Sequence, residues 1–331
     1  MNDVIVFEEQ GVVTVEEREM PEPGPGEVLV ETERTLISTG TELTILAGEG
    51  EPGSNWEDIA EFPFEPGYNN VGTVAETGAD VERVAVGDRV ATLGDHRAFA
   101  VRDAAECRPV PSELSADEAV FFTIAEIVSN GVRRGEVTWG EGVVVYGLGL
   151  LGQLAVRICE AAGARPVVGV DLADTRLDYL PDRPGVVGVD PRERDPGDVI
   201  EAETGRLADV VFEVTGNPDV VTTELDALRD QGRFVVLSSP KGETSFDFHD
   251  HCNAPSYRII GAHNSSHPET ATPDNPWTQQ RHCELFFDYL AEGRFDVESL
   301  VSHRSHYADA PELYEMLLAD RTDAMGVVLE W

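Results

Sequence analysis

Residues 143–164 read VVVYGLGLLGQLAVRICEAAGA. An apolar run leads into glycines at 147, 149 and 152, and the residues after them repeat apolar side chains at helical spacing. A G-x-G-x-x-G match alone is weak, because glycines fall at that spacing by chance. Here a strand precedes it and a helix follows, the context the motif requires. The glycines permit a tight turn and close backbone approach, so a pyrophosphate can sit on the helix N-terminus beside Leu150 and Leu151.

Asp171 ends the next strand, PVVGVD, 19 residues beyond Gly152. A carboxylate there accepts hydrogen bonds from ribose hydroxyls and repels a 2′-phosphate, which favours NAD(H) over NADP(H). Arg176, five residues on, keeps NADP(H) open, since it can swing toward a phosphate. Leu172, and Thr215 and Gly216 in DVVFEVTG, complete the expected cofactor contacts.

Working outward, VVGVD, DVVFEVTG, RFVVLSS and RIIGAH continue as apolar strands, with helical segments such as PDVVTTELDALRDQG between them. Strands alternating with helices imply a doubly wound parallel sheet, an α/β fold. The first hundred residues differ. VIVF, VVTVEE, EVLVETERTLIS, VGTVAETG, DRVATL and RAFAV are short strands divided by turns such as PEPGPGE and PGYNNVG. PSELSADEAV carries a helix start at Ser115. Near the end, PWTQQRHCELFFDYLAEG and ADAPELYEMLLAD read as helices, and VESLVSHRSHY and MGVVLE as strands.

Charge excludes whole classes of partner. Among 331 residues, 63 acids face 24 basic residues, for a formal net charge of -39, and Lys241 is the sole lysine. Nucleic acid and anionic membranes need neutralising cations, so neither is an expected partner. The acids are spread along the chain, which fits a solvated surface of the halophilic type. Such a surface repels itself when salt is withdrawn, so the Tm is expected to rise with ionic strength. Thermal melts across a salt series check this, and a salt-independent Tm contradicts it. No apolar run approaches the roughly 20 residues of a membrane span, and the N-terminus shows no secretory signal, so a cytoplasmic protein is expected. The four cysteines are scattered, with no C-x-x-C pair.

These stretches, in this order, resemble the medium-chain dehydrogenase/reductase superfamily, with its zinc alcohol and polyol dehydrogenases. The resemblance runs from PGPGEVLVE through FEPGYNNVGTVAETGADVERVAVGDRV, PSELSADEAVFFTIAEIVSNGVRRG and the glycine segment to the closing VVLE. It implies a GroES-like β domain (1–124 and 270–331) with a Rossmann domain (125–269) inserted, and a homodimer or homotetramer. It also exposes departures. Where the zinc enzymes read C-G-T-D, this chain has Thr39-Gly40-Thr41-Glu42, and where they read G-H-E it has Gly67-Tyr68-Asn69. Thr123 or Glu126 stands at the third ligand position, and the four-cysteine lobe is missing after GDRV. The resemblance therefore implies a member with no zinc.

Without zinc, hydroxyl or imidazole groups must polarise the substrate oxygen or carry its proton. Tyr68 is the first candidate, competing with a ring that only fills the vacated space. Thr39 and Thr41 are candidates for proton passage or ribose binding, or simply cap the next helix. Glu42 either orients Tyr68 and binds substrate hydroxyls, or tops the helix ELTILAG and favours its dipole. Asn69 and Asn70 add amide groups on the same loop, unless they only form a turn. In the family the loop after RIIGAH approaches nicotinamide and substrate. His263 is then an acid/base candidate, and Asn264, Ser265 and His267 are substrate-binding candidates, with His96 secondary. Irregular spacing of His249, His251, His263 and His267 argues against a metal there.

The expected activity is hydride transfer between NAD(H), or NADP(H), and a small polar alcohol or carbonyl, a sugar or polyol derivative. A quinone or C=C reductase of the same superfamily and a non-catalytic nucleotide-binding protein are the alternatives.

Overall fold

The computed structural model describes residues 1–50, 53, 54, 56, 59 and 61–331. The chain divides into two units: Met1–Thr123 with Cys283–Trp331, and Ile124–His282. The helix Gln279–Ala291 spans the second point of division.

In the first unit, β1 (Asn2–Glu9) and β2 (Val12–Arg18) form an antiparallel hairpin. Gly11 turns it with a φ of 75°, a conformation that costs glycine little. The main sheet contains β3 (Glu27–Ile37), β4 (Asn70–Thr77), β5 (Arg89–Thr92), β6 (Phe99–Asp103), β7 (Arg108–Pro109), β14 (Val301–His306) and β15 (Gly326–Glu330). Its order is β14-β15-β3-β4-β5-β7, with β6 also paired to β3. β15 runs antiparallel to β3, with Val327 opposite Ile37, so the C-terminal segment joins the same sheet. The short helix Thr41–Leu46 and the helix Ala310–Ala319 share one core, in which Leu43, Ile45 and Leu46 pack with Phe7 and Tyr314. Tyr314 meets Phe7 edge-on at 5.1 Å between centroids, a geometry that adds about 1 kcal/mol to simple burial. The Ser115 start is a capping box: Ser115 accepts from the Glu118 N–H, and the Glu118 carboxylate accepts from the Ser115 N–H.

The second unit is the six-stranded parallel sheet expected from the alternating pattern. Its strands are β8 (Val143–Tyr146), β9 (Val167–Val170), β10 (Val186–Val189), β11 (Ala208–Glu213), β12 (Leu228–Val236) and β13 (Arg258–Gly261), in the order β10-β9-β8-β11-β12-β13. Strand order reverses at β8, so the crevice at the carboxyl ends of β8 and β11 is the place where this fold takes ligands. One segment departs from expectation. PDVVTTELDALRDQG is helical only over Val221–Glu224 and the turn Leu225–Ala227, and β12 begins at Leu228. Val220, Val221, Thr222 and Thr223 are β-branched and stiff in a helix, and Leu228 pairs with Ala208 instead. Among the described residues, no helix is long and apolar enough to cross a membrane.

Candidate active site

In the first unit the chain leaves β3 through Ser38–Gly40 and enters the helix Thr41–Leu46. Neither threonine caps that helix: the N-cap residue is Gly40, and no side chain accepts from the first turn. Glu42 reaches backward instead. Its Oε1 accepts the Ser38 N–H at 2.8 Å, and its Oε2 accepts the Tyr314 hydroxyl and lies 3.1 Å from His96 Nε2. Glu42, His96 and Tyr314 are all fully buried or nearly so. With Glu42 as acceptor, the His96 proton belongs on Nε2, which leaves Nδ1 a buried acceptor with no hydrogen-bond partner. Glu42 is therefore an internal hub with both oxygens engaged, set in the first turn of the helix Thr41–Leu46. Burial and the Glu42 charge push the Tyr314 phenol well above its ordinary range.

Tyr68 is delivered to this hub by a turn that only glycine fits. Gly67 has φ 109°, and a β-carbon there would lie 2.8 Å from His96 N. The Pro66 carbonyl accepts from that same N–H at 2.8 Å, and Thr123 Oγ1 donates to the Tyr68 carbonyl at 3.1 Å. The Tyr68 hydroxyl donates to Ser38 Oγ at 2.5 Å and is also hydrogen-bonded with Thr41. Burial raises its pKa, Glu42 adds to the rise, and the bonds to Ser38 and Thr41 oppose it, so the phenol keeps its proton at neutral pH. Thr39 is half-buried, and its carbonyl accepts from Arg321.

Asn69 and Asn70 do not act as a pair of exposed loop amides. Both are fully buried, and Asn70 opens β4 and donates to Thr32 Oγ1 at 2.9 Å. The donor set at this place is hydroxyls, Ser38, Thr39, Thr41 and Tyr68. Glu42 and His96 are engaged with each other. Zinc sites use thiolate, imidazole and carboxylate in sets of three or four, and this set does not fit one. Among the described residues, no group of three or more His, Cys, Asp or Glu is placed to hold a metal ion.

The second unit carries the nucleotide features. Gly147 (φ 89°) lies against the next turn: a β-carbon on it would meet Thr215 N at 2.8 Å. On Gly152 a β-carbon would fall 1.8 Å from the Gly147 carbonyl oxygen. On Gly149 it would meet nothing within 4 Å, so that glycine leaves open space at the start of the helix Leu150–Ala161. No side chain caps that helix, and its first N–H groups remain for an anion. Asp171 stands at the end of β9, its oxygens accepting from Leu148 N and Ala173 N at 2.8 and 2.9 Å. Lone pairs remain for ribose hydroxyls. Arg176 Nη1 lies 3.6 Å from Asp171 Oδ2. Leu150 is buried, Leu172 is largely exposed, and Thr215 and Gly216 form the turn after β11. These residues fit a dinucleotide.

The HNSSH loop is more constrained than its sequence suggests. His263 is exposed and caps its own turn, accepting from Ser265 N and hydrogen-bonded with the Ser265 hydroxyl. Asn130 holds Ser266 Oγ at 2.8 Å. His267 shares a hydrogen bond with the Asn264 carbonyl through Nδ1 and with His282 through Nε2, at 2.8 and 3.1 Å. Arg133 donates to the other His282 nitrogen at 3.0 Å, so the chain runs from Arg133 through two neutral imidazoles to a carbonyl. Burial, with His267 and two arginines nearby, pushes His282 down to about 3. His267 is thereby tied into an internal cluster.

Sequence reasoning passed over Tyr314, His282 and Glu213. Tyr314 and His282 sit in helices whose periodicity marks them as ordinary packing positions, and Glu213 ends a strand.

Residues 24–149 match the family described as alcohol dehydrogenase GroES-like domain, and residues 151–277 match the zinc-binding dehydrogenases. The chain is similar to D-guloside 3-dehydrogenase of Shigella flexneri, 31% identical over 258 residues, covering 76% of this chain and 73% of that protein. It is 28% identical to L-threonine 3-dehydrogenase of Stenotrophomonas maltophilia over 265 residues, covering 70% and 75%. The fold is shared with 2R,3R-butanediol dehydrogenase from Bacillus subtilis, at a TM-score of 0.83 and 20% identity, covering 100% of both chains.

Proposed function

The chain belongs to the medium-chain, zinc-type alcohol dehydrogenase superfamily and is an NAD(P)-dependent dehydrogenase, and on that premise we propose that it works without zinc, prefers NAD(H), and oxidises a sugar or polyol derivative or reduces its carbonyl. The observation that carries this proposal is the Tyr68 phenol, kept protonated by burial and hydrogen-bonded to Ser38 and Thr41, on the loop where zinc enzymes keep a ligand. Two relatives named for oxidation at carbon 3 of polar molecules support a polar substrate. The hydroxyls around Tyr68 weigh against a quinone or C=C substrate, which asks for an apolar wall.

A bound nicotinamide supplies or takes the hydride. The residues do the rest. Tyr68 turns its O–H from Ser38 Oγ to the substrate oxygen and gives it a proton as a carbonyl is reduced, while the Ser38 and Thr41 hydroxyls donate to the phenol oxygen, orient it and stabilise the phenolate that forms. Glu42 fixes Ser38 through its backbone N–H. The glycine turn and the helix start take the pyrophosphate, and Asp171 takes the adenosine ribose.

Metal analysis combined with a sugar and polyol panel tests this proposal. Expected are turnover with NAD(H) and no stoichiometric zinc; one zinc per chain required for turnover overturns the mechanism. Tight nicotinamide binding with no turnover points to a non-catalytic protein, and turnover of quinones alone to the reductase alternative. Asp171→Ala is expected to weaken NADH binding by about tenfold or more, the size of hydrogen bonds to a charged group, and NADPH binding much less. Equal losses for the two cofactors contradict the role given to Asp171.

A further inference from the structure

We propose that Glu213 is a positioning residue of the nucleotide crevice, tying the turns after β11 and β12 together, and that Glu224 must remain uncharged beside it for the tie to hold. The proposal rests on the reading of this unit as the nucleotide-binding half of a dehydrogenase.

Glu213 is the last residue of β11 and has no exposed surface. Its Oε1 accepts from Thr215 Oγ1 at 2.7 Å and from Gly216 N at 2.8 Å, which fixes the turn after β11. Its Oε2 accepts from the Ser238 hydroxyl, beyond the end of β12. Its main-chain carbonyl adds bonds from Leu237 N and Ser238 N at 3.1 and 3.2 Å. The Gly147 turn lies directly on this assembly, because a β-carbon at 147 would strike Val214 and Thr215 N. One carboxylate thus shapes the ends of β11 and β12 and the surface on which the glycine turn of β8 rests. Carboxyl ends of strands flanking the switch point are where a doubly wound sheet holds its ligand.

Glu224 lies nearby and is the anomaly of the unit. It is 1% exposed, and neither carboxyl oxygen has a hydrogen-bond partner. Leu225 and Ala227, both in the core cluster, pull this end of the short helix inward. No arginine or lysine meets either carboxyl among the described residues. The groups facing Glu224 are Glu213 on β11 and Tyr146 at the end of β8, with Asp226 on its own segment and Asp195 acting on the same phenol. All are acids or a phenol. A buried charge without a partner is costly, so Glu224 keeps its proton at neutral pH. Burial first, and the Glu213 charge second, push it up to about 9. Ionisation would set a second negative charge against Glu213 and loosen the turns it ties.

The test measures NADH affinity by fluorescence from pH 6.5 to 10, with thermal melts of the cofactor-free protein over the same range. Wild type is expected to hold a constant Kd to about pH 8 and to weaken about tenfold by pH 10, where roughly one molecule in ten keeps the proton. Glu224→Gln cannot ionise and is expected to stay flat. Glu213→Ala is expected to raise Kd at neutral pH, with partial rescue by Glu213→Gln, whose amide oxygen still accepts. Equal alkaline weakening in wild type and Glu224→Gln, or none in wild type, overturns the proposal. The melting arm needs no cofactor. A group whose folded pKa is raised loses stability as pH climbs from its unfolded value to its folded one, so the Tm of wild type should fall behind that of Glu224→Gln up to about pH 9. A gap that does not widen overturns the proposal. Absence of NADH and NADPH binding to wild type at pH 7 counts against the dehydrogenase reading, and the melts still decide the state of Glu224.

Discussion

Tyr68→Phe is expected to lower kcat for carbonyl reduction by two to four orders of magnitude, about the contribution of a positioned general acid, while NADH affinity stays unchanged. The substitution keeps the ring that fills the loop and removes only the hydroxyl aimed at Ser38. Space filling alone would leave kcat nearly intact, so the variant separates the two roles of the side chain. Ser38→Ala and Thr41→Val each remove one orienting partner and should cost about tenfold, the size of a single hydrogen bond. The pH dependence follows from the raised phenol pKa. A proton donor fails when it deprotonates, so reduction should stay flat through neutral pH and fall only under strongly alkaline conditions. A Tyr68→Phe enzyme within threefold of wild type in kcat would remove Tyr68 from the chemistry and leave His263 as the next residue to test.

The nucleotide half of the molecule was readable from sequence because its evidence is local. Strand, glycines, helix and Asp171 fall within 29 residues, 143–171, each with its own periodicity or backbone demand. Gly147 and Gly152 then show in atomic terms why no side chain stands there. The hydroxyl cluster was half readable. Thr39, Thr41, Glu42 and Tyr68 stood out because they replace expected ligand types, yet their environment did not. In a chain with 63 acids, a glutamate in a first helical turn looks solvated, and nothing local signals that Glu42 is buried. Its partner Tyr314 is 272 residues away, on a helix whose apolar period accounts for it as core. Asn70 was misplaced for a similar reason: an Asn-Asn pair after glycine looks like a turn, but strand pairing with Thr35 and Thr92 takes the second one into the sheet. PDVVTTELDALRDQG failed differently, because a helical spacing of apolar residues was set against β-branched residues that resist helix.

Glu42→Ala is expected to be among the most destabilising single substitutions in the protein, at about 3–5 kcal/mol, the cost of breaking a buried network by removing its central charge. Three donors would lose their acceptor at once: the Ser38 N–H, the Tyr314 hydroxyl and His96 Nε2. All three lie in or beside the core that joins β3, the helix Thr41–Leu46 and the helix Ala310–Ala319, where water does not replace a lost partner. Tyr314→Phe removes one donor and leaves the carboxylate two, so it should cost only about 1 kcal/mol. Glu42→Gln keeps the volume but must turn an amide N–H toward at least one donor, and should fall between them at about 1–3 kcal/mol. Denaturant unfolding at one high salt concentration, which removes the contribution of the acidic surface, checks the order wild type, Tyr314→Phe, Glu42→Gln, Glu42→Ala. The double variant Glu42→Ala/Tyr314→Phe should be less destabilised than the sum of its parts, because the second change removes a donor that the first left stranded. Additive losses, or a Glu42→Ala protein within 1 kcal/mol of wild type, would mean that the hub carries little of the fold. Tyr68 would then owe its placement to the Gly67 turn and Thr123 alone. If the hub does carry the fold, the acid that looked like a helix decoration is what keeps Ser38, and through it the phenol of Tyr68, in place.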